Sequence, residues 1–548
     1  NDFSGASVIA NALLRNPNLP VRNPDGTYSI DPLGRNGTEN PVMLANEITF
    51  TSNQKRLIAN VYAEYEIFKG LTLKSVFGID NLAERVQRFV PNFVLFTQGA
   101  AQAQAVSLET QTWLNDNTLN FNKTFGANHR VSGLVGLGLQ RSRSDFLQAS
   151  GQVAGSNIIR TIAVALPDVP GNFISEWRLL SYFGRASYSF KDKYIVEASF
   201  RADGSSRFGA NKRFGWFPAV SAAWRVIEEP FLQNLNFLSD LKLRAGIGVT
   251  GNQEGLENFG SLTLYGTGNN YDGLPGISQN NVPNPDLGWE STTTTNVGID
   301  FAFLNSRINV ALDAYEKNTQ SLLFTRQLPW TSGFSSISNV NVGSLQNRGI
   351  EIALNTRNLT GEFKWTTDFN ISFNRNKITS LPVNGSAGSD LIFKLPDAYS
   401  VEGPYSIYRV GQPVGAFFGF RFDGVYANDS DVPENQRDVP ANNGAQNFRG
   451  GYPIFFDADN NGVFERQFDR VVIGNALPLH TGGITNTFSY KGVELSVFMN
   501  QHGRRLQPKP GRAEPLAESR RPNPNAQSHV SGQLVPRNCL YRRFQSLH

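Results

Sequence analysis

The sequence predicts an all-β chain folded as a transmembrane antiparallel β-barrel, and three observations lead there. The first is alternation. Tyr182, Gly184, Ala186, Tyr188 and Phe190 interleave with Phe183, Arg185, Ser187 and Ser189; after Lys191-Asp192-Lys193 the pattern resumes as Tyr194, Val196, Ala198 and Phe200 against Ile195, Glu197, Ser199 and Arg201. A period of two is that of a strand. One face is apolar or aromatic, and the other carries charges that a packed soluble core buries only at high cost; a lipid-facing band around a wet lumen accommodates both. The second observation is that no apolar run reaches the roughly 18 residues of a membrane-spanning helix. A chain that enters lipid without such a helix has to close its strand edges into a barrel. Third, short and long connections alternate, as in barrels with tight turns at one end and long loops at the other.

In order along the chain, residues 1–52 are dense in Pro, Asn and Gly and read as an extracellular loop region. Regular structure is expected from about Lys55. Val61–Phe68 and Leu71–Asp80 pair across Lys69-Gly70, a two-residue hairpin signal. A loop over about Ala83–Ser107 leads to Leu108–Asn122 and His129–Phe146, and the hairpin around Lys191–Lys193 follows. Gly215–Val226 and Leu241–Thr250 come next. Further hairpins turn at Asn305-Ser306, Leu359-Thr360 and Lys491-Gly492. About 14 strands result, fewer than the 22 of large plugged transporters, so the barrel is expected to be incomplete, spanning residues 53–500.

Composition narrows the class. Gly (51) and Phe (40) are abundant and charge is modest at 18%, which suits hairpins with an aromatic outer face. The net charge of +4 does not point to nucleic acid, because residues 501–548 hold nine Lys or Arg against two Glu and the rest of the chain is net negative. The single cysteine, Cys539, lies in the same tail. The tail has no strand-like alternation and is read as an aberrant basic segment, frameshifted or disordered. A body free of cysteine excludes a disulfide scaffold there and fits export through an oxidising compartment.

Several runs together resemble the SusC/RagA family of TonB-linked outer-membrane transporters: RADGSSRFG (Arg201 to Gly209), FPAVSAAWRV (Phe217 to Val226), LKLRAGIGVTGNQ (Leu241 to Gln253), PNPDLGWESTTTTNVGIDFAFLNSRINVALDAYEKNT (Pro283 to Thr319), NVGSLQNRGIEI (Asn341 to Ile352), GQPVGAFFGFRFDGVY (Gly411 to Tyr426) and TGGITNTFSYKGVELSVF (Thr481 to Phe498). They occur in the family's order. The resemblance implies a barrel of the large TonB-dependent transporter type in the outer membrane of a Gram-negative bacterium. It also implies uptake of oligosaccharides or peptides with a SusD-like surface lipoprotein, and energy supplied by TonB-ExbB-ExbD through a plug and TonB box. No plug, TonB box or signal peptide is recognisable, so a fragment beginning inside the barrel is expected. A siderophore or cobalamin receptor, or a surface adhesin or passive structural barrel, are the competing readings.

Chemistry-bearing candidates are few. In FFDADNNGVFERQFDR, Asp457, Asp459, Asn461 and Gly462 take the first, third, fifth and sixth places of an EF-hand-like calcium loop, with the Val463 carbonyl and Glu465 as further ligands. Phe468 stands where a bidentate carboxylate is wanted, and Asp469 is one place late. The bland reading is an Asx-rich turn without an ion. Aromatic residues in long loops, Tyr265, Tyr271, Trp330, Phe334, Tyr405 and Tyr408, are candidates for stacking on an organic ligand; each alone is more often structural. Trp289, at a strand entrance, is expected in the interfacial girdle. No catalytic motif is present, and His129 and His480 have no evident partners in the sequence.

Overall fold

The computed structural model describes residues 8–30, 39–94, 97, 99–153, 157–168, 170–232, 235–267, 270, 272, 274, 276–334, 336–381, 390–394, 405–436, 448–466 and 468–503. Fourteen strands form one antiparallel meander. They are β1 (Thr49–Phe68), β2 (Leu71–Val90), β3 (Ala101–Phe125), β4 (His129–Val153), β5 (Gly171–Phe190), β6 (Tyr194–Ser205), β7 (Phe214–Arg225), β8 (Leu238–Asn252), β9 (Glu290–Phe303), β10 (Ile308–Gln320), β11 (Ser344–Thr360), β12 (Phe363–Ser380), β13 (His480–Tyr490) and β14 (Val493–Gly503). Each pairs with the next in sequence order, and β1 and β14 make no ladder with each other among the described residues. No described helix is long and apolar enough to cross a membrane.

The turns between strands are set by backbone chemistry. Gly70 (φ 94°), Gly126 (φ 60°), the Lys191-Asp192 pair (φ 54° and 49°), Leu304 to Ser306 (φ 54–58°) and Lys491-Gly492 (φ 46° and 85°) all lie in the left-handed region, which matches the strand twist in tight hairpins. The β11–β12 turn falls at Gly361-Glu362, two residues beyond its expected place. All these turns lie at one end, and the connections 91–100, 154–170, 206–213, 253–289, 321–343 and 381–479 lie at the other. Strands β2 and β3 run well into the segment expected to be a loop over Ala83–Ser107. Their added pairs, such as Arg85↔Ser107 and Val90↔Gln102, lie towards the long-loop end, where polar side chains meet water and the apolar alternation is lost.

Register divides the residues into two faces. Tyr188 pairs with Val196, Val196 with Ala222, Ala222 with Ala245, Ala245 with Val297 and Val297 with Ala314. Ile299 and Ala198 share that face, while Arg185, Glu197, Arg201 and Asp300 share the opposite one. The first face is open, with Val196 48% and Val297 58% exposed. At the short-turn end it carries a band of stacked rings: Phe190 on Tyr194, Tyr194 on Trp224, Phe237 on Phe303, and Trp365 on Phe488. Such a band is the mark of a membrane interface.

Beyond the barrel strands, residues 1–52 contain two short helices, Val8–Leu14 and Pro41–Glu47. Asn40 caps the second by accepting from Val42 N and Met43 N at 3.1 and 3.3 Å, and Met43 and Leu44 pack on Val90 and Val94. Strand β1 starts at Thr49, earlier than expected. The connection 381–479 builds a four-stranded sheet from Leu391–Lys394, Tyr405–Tyr408, Ala416–Gly419 and Val471–Asn475. At the C-terminal side β14 continues through Gln501, His502 and Gly503, paired with His480 to Gly482; the rest of the expected aberrant tail lies outside the described residues.

Candidate functional site

The acidic loop sits in the 381–479 connection, tied down by Phe464, which is 4% exposed in a core with Tyr426, Val432 and Phe448. Gly462 at φ 81° makes the bend. Asp457 accepts from Asn461 N at 3.3 Å and Gly462 N at 2.6 Å. Asp459 accepts from Asn461 N at 3.2 Å and from Asn461 Nδ2 at 3.0 Å, while Asn461 Oδ1 accepts from Val463 N. Glu465 joins through Oε2, 2.9 Å from Asn461 Nδ2. Asp469 closes the loop: it is fully buried and accepts from Ala458 N at 2.7 Å and Glu465 N at 2.5 Å.

Ligand oxygens of Asp457, Asp459 and Asp469 lie within 4.8 Å of one another. Asp469 thus occupies the place that spacing assigned to position twelve, and Phe468 points away, 55% exposed. The extra turn bonded from Glu465 O to Asp469 N, 3.0 Å, moves the acid into reach; its being one residue late was the only trace in the sequence. The Gly462 N–H holds the Asp457 carboxyl below its ordinary value. Loss of water pushes Asp459 up, aided by its acidic neighbours. Hard carboxylate oxygens converging in this way are the donor set that calcium takes.

The loop aromatics do not form one site. Tyr265 is 69% exposed on a small hairpin with Ile277–Gln279. Phe334 is half-buried after the 3₁₀ turn that Trp330 opens. Tyr271 lies outside the described residues. Tyr405 and Tyr408 belong to a strand: Tyr405 packs on Ile407, Ala416 and Phe418 beneath the Arg470 guanidinium, 4.4 Å away, and Tyr408 meets Phe324 edge-on. All five described positions nevertheless sit on connections at the long-loop end.

The recognisable runs have structural explanations. Arg207 of RADGSSRFG donates to Asn258 Oδ1 at 2.8 Å and Gln253 O at 3.1 Å and lies over the Trp177 ring. Phe208 is buried with Leu256 and Leu287, and Gly209 approaches so closely that a Cβ would meet Pro285 O at 2.0 Å. Trp289, partly buried, packs against this same core with its ring centroid 4.5 Å from that of Phe208, and donates to Arg213 O. Glu229, 9% exposed, accepts from Tyr194 Oη, Trp224 Nε1 and Lys193 Nζ at 2.5, 3.0 and 3.0 Å. His129 is not isolated either: Nδ1 is 2.7 Å from Tyr188 Oη, and His480 lies against Phe373. Sequence reasoning also missed a triad on the charged face, where Arg244 binds Asp300 through two bonds of 2.8 Å and Asp313 at 3.0 Å.

Residues 3–471 match the family described as TonB dependent receptor-like, beta-barrel. The chain is 33% identical over 509 residues to TonB-dependent receptor P3 of Formosa agariphila, covering 90% of this chain and 49% of that protein. It is 33% identical over 327 residues to TonB-dependent receptor SusC of Bacteroides thetaiotaomicron, covering 58% and 30%. A solved structure of the RagAB peptide transporter superposes with a TM-score of 0.69 at 25% identity, over 84% of this chain and 49% of that one. The chain spans about half the length of the first curated relatives it matches.

Proposed function

Because the chain belongs to the family of TonB-dependent receptor-like β-barrels, of the SusC/RagA type, we propose that it forms part of the wall of an outer-membrane importer for oligosaccharides or peptides. In this reading a SusD-like surface lipoprotein delivers the nutrient at the long-loop end, and TonB-ExbB-ExbD supplies the energy. The observation that carries it is the two-faced, fourteen-strand meander whose longest connections, 253–289, 321–343 and 381–479, all lie at one end: one face suits lipid, the other lines a polar passage, and the loops form a mouth. The chain itself has no catalytic step in this scheme. The loop 457–469 supplies a calcium site in that mouth, with Asp457, Asp459 and Asp469 as carboxylate ligands, Asn461 and Glu465 beside them and the Val463 carbonyl as a further oxygen.

Deleting the gene from its host and measuring uptake of labelled oligosaccharides and oligopeptides tests the proposal. Loss of uptake of one of these classes, reproduced by removing TonB or the neighbouring SusD-like gene, is expected. Unchanged uptake of both, with loss of iron-chelate or cobalamin uptake, would replace it by the metallophore reading; loss of surface attachment alone would favour an adhesin.

A further inference from the structure

The outward face carries a second feature that transport does not use. At the middle of β4 and seven residues into β5, Arg141 and Arg178 are direct cross-strand partners, and like charges in that position repel. Glu176 answers both, at 2.6 Å from Arg141 Nη2 and 2.7 Å from Arg178 Nε, so one carboxylate is shared by two guanidiniums. Arg213 adds another: its guanidinium has no side-chain partner among the described residues. The Nε of Arg141 is buried without a hydrogen-bond acceptor. These three arginines line a groove of about 440 Å³ whose apolar wall includes Trp113, Leu139 and Phe214.

Position decides what can fill it. From the turn-end residues Phe125, His129 and Phe190 to Trp113, Arg141 and Arg178, the strands run about 40 Å at roughly 3.3 Å per residue, or about 30 Å of height at a tilt near 40°. That is the thickness of the hydrocarbon core. The arginines therefore stand at the far headgroup boundary, with Leu139 and Leu180 one step below at acyl-chain depth. Guanidinium forks match phosphate oxygens in pairs.

We propose that this groove binds the phosphate group of an outer-leaflet lipid, with the guanidiniums of Arg141, Arg178 and Arg213 on the phosphate and the chains lying over Leu139, Leu180 and Trp113. The proposal rests on the outer-membrane reading above, so insertion is checked separately by the heat-dependent gel mobility of a folded barrel. The intact protein, purified from outer membranes, is placed in nanodiscs containing either diphosphorylated lipid A or its dephosphorylated form, and bound lipid is measured by native mass spectrometry. Retention of the phosphorylated lipid alone is expected. Arg178→Gln and Arg213→Gln should each weaken it about tenfold, and Arg213→Lys should restore part of the loss. Inorganic phosphate should compete only at far higher concentration; if it competes as strongly as the lipid, the ligand is a soluble anion and the lipid assignment fails. Equal retention of the dephosphorylated lipid, or full retention by folded R178Q/R213Q protein, overturns the proposal.

Discussion

The assignment of faces makes a quantitative prediction at Ala198. This residue pairs with Ala186 on β5 and Val220 on β7, so an arginine there meets small neighbours and its cost is that of the charge. Along β6 it lies midway between Tyr194, in the short-turn aromatic band, and Ala202, which pairs with Trp216 towards the other end. Four residues from the turn end of a crossing of about 12 residues, it lies inside the hydrocarbon on the turn side of the midplane, which falls near Phe200, so arginine there should cost towards the lower end of the about 2–4 kcal/mol of a midplane site on the lipid face of a barrel. That range corresponds to a fall in the folding equilibrium of about 30- to 700-fold at about 1.4 kcal/mol per decade. Val196 sits one step nearer the turn, so Val196→Arg should cost less than Ala198→Arg. At the same depth on the opposite face, Ser221 pairs with Glu197, and Ser221→Arg should change stability by under about 1 kcal/mol. Reversible denaturant unfolding in phospholipid vesicles, followed by tryptophan fluorescence, reads all three. Equal costs for Ala198→Arg and Ser221→Arg, or the reverse order, would refute the division into lipid and lumen faces.

Calcium added to the purified protein should give a calorimetric signal in the micromolar-to-millimolar range, lost in Asp457→Ala and equally in Asp469→Ala but kept in Phe468→Ala; a silent wild type leaves a self-bonded turn with no ion. Arg207→Ala removes two hydrogen bonds and a ring contact, so limited proteolysis should cut 206–213 and 253–289 faster while the barrel stays folded; an unchanged digest rules out the anchoring role. Three donors hold the Glu229 carboxyl below its ordinary value, Tyr194 first. Since its folded pKa is depressed, its contribution is present above the unfolded value near 4.5 and lost as pH falls through the folded value. Wild type should therefore exceed Glu229→Gln in melting temperature at pH 7, with the gap closing below pH ~4.5; a gap independent of pH would assign the effect to packing.

Strands, turns and faces were legible in the sequence because each is a local property. Alternation at period two depends only on which side of a pleat a residue occupies, and Gly70 or Lys491-Gly492 need nothing beyond their own dihedral preferences. The expected ends of β2 and β3 were short for the same reason: past the membrane the alternation fades, although the ladder continues from Arg85↔Ser107 to Val90↔Gln102. The acidic loop was half legible, since Asp457, Asp459 and Asn461 keep their spacing through a tight bend while Asp469 enters only after the chain turns at Glu465.

What the sequence by itself determined is that Val196, Ala198 and Ile299 share one face and Glu197, Arg201 and Asp300 the other, because the solvent preference of a side chain travels with the residue. Only the tertiary structure decided what meets what across strands and connections. It took Tyr405 and Tyr408 out of a loop and into a sheet, packed Trp289 against Phe208, and joined Arg244 to Asp300 and Asp313. It also set Arg141 beside Arg178 and brought Arg213 to their groove. Those outcomes depend on register and on how distant connections pack, and neither is encoded within the few residues over which a periodic pattern can be read.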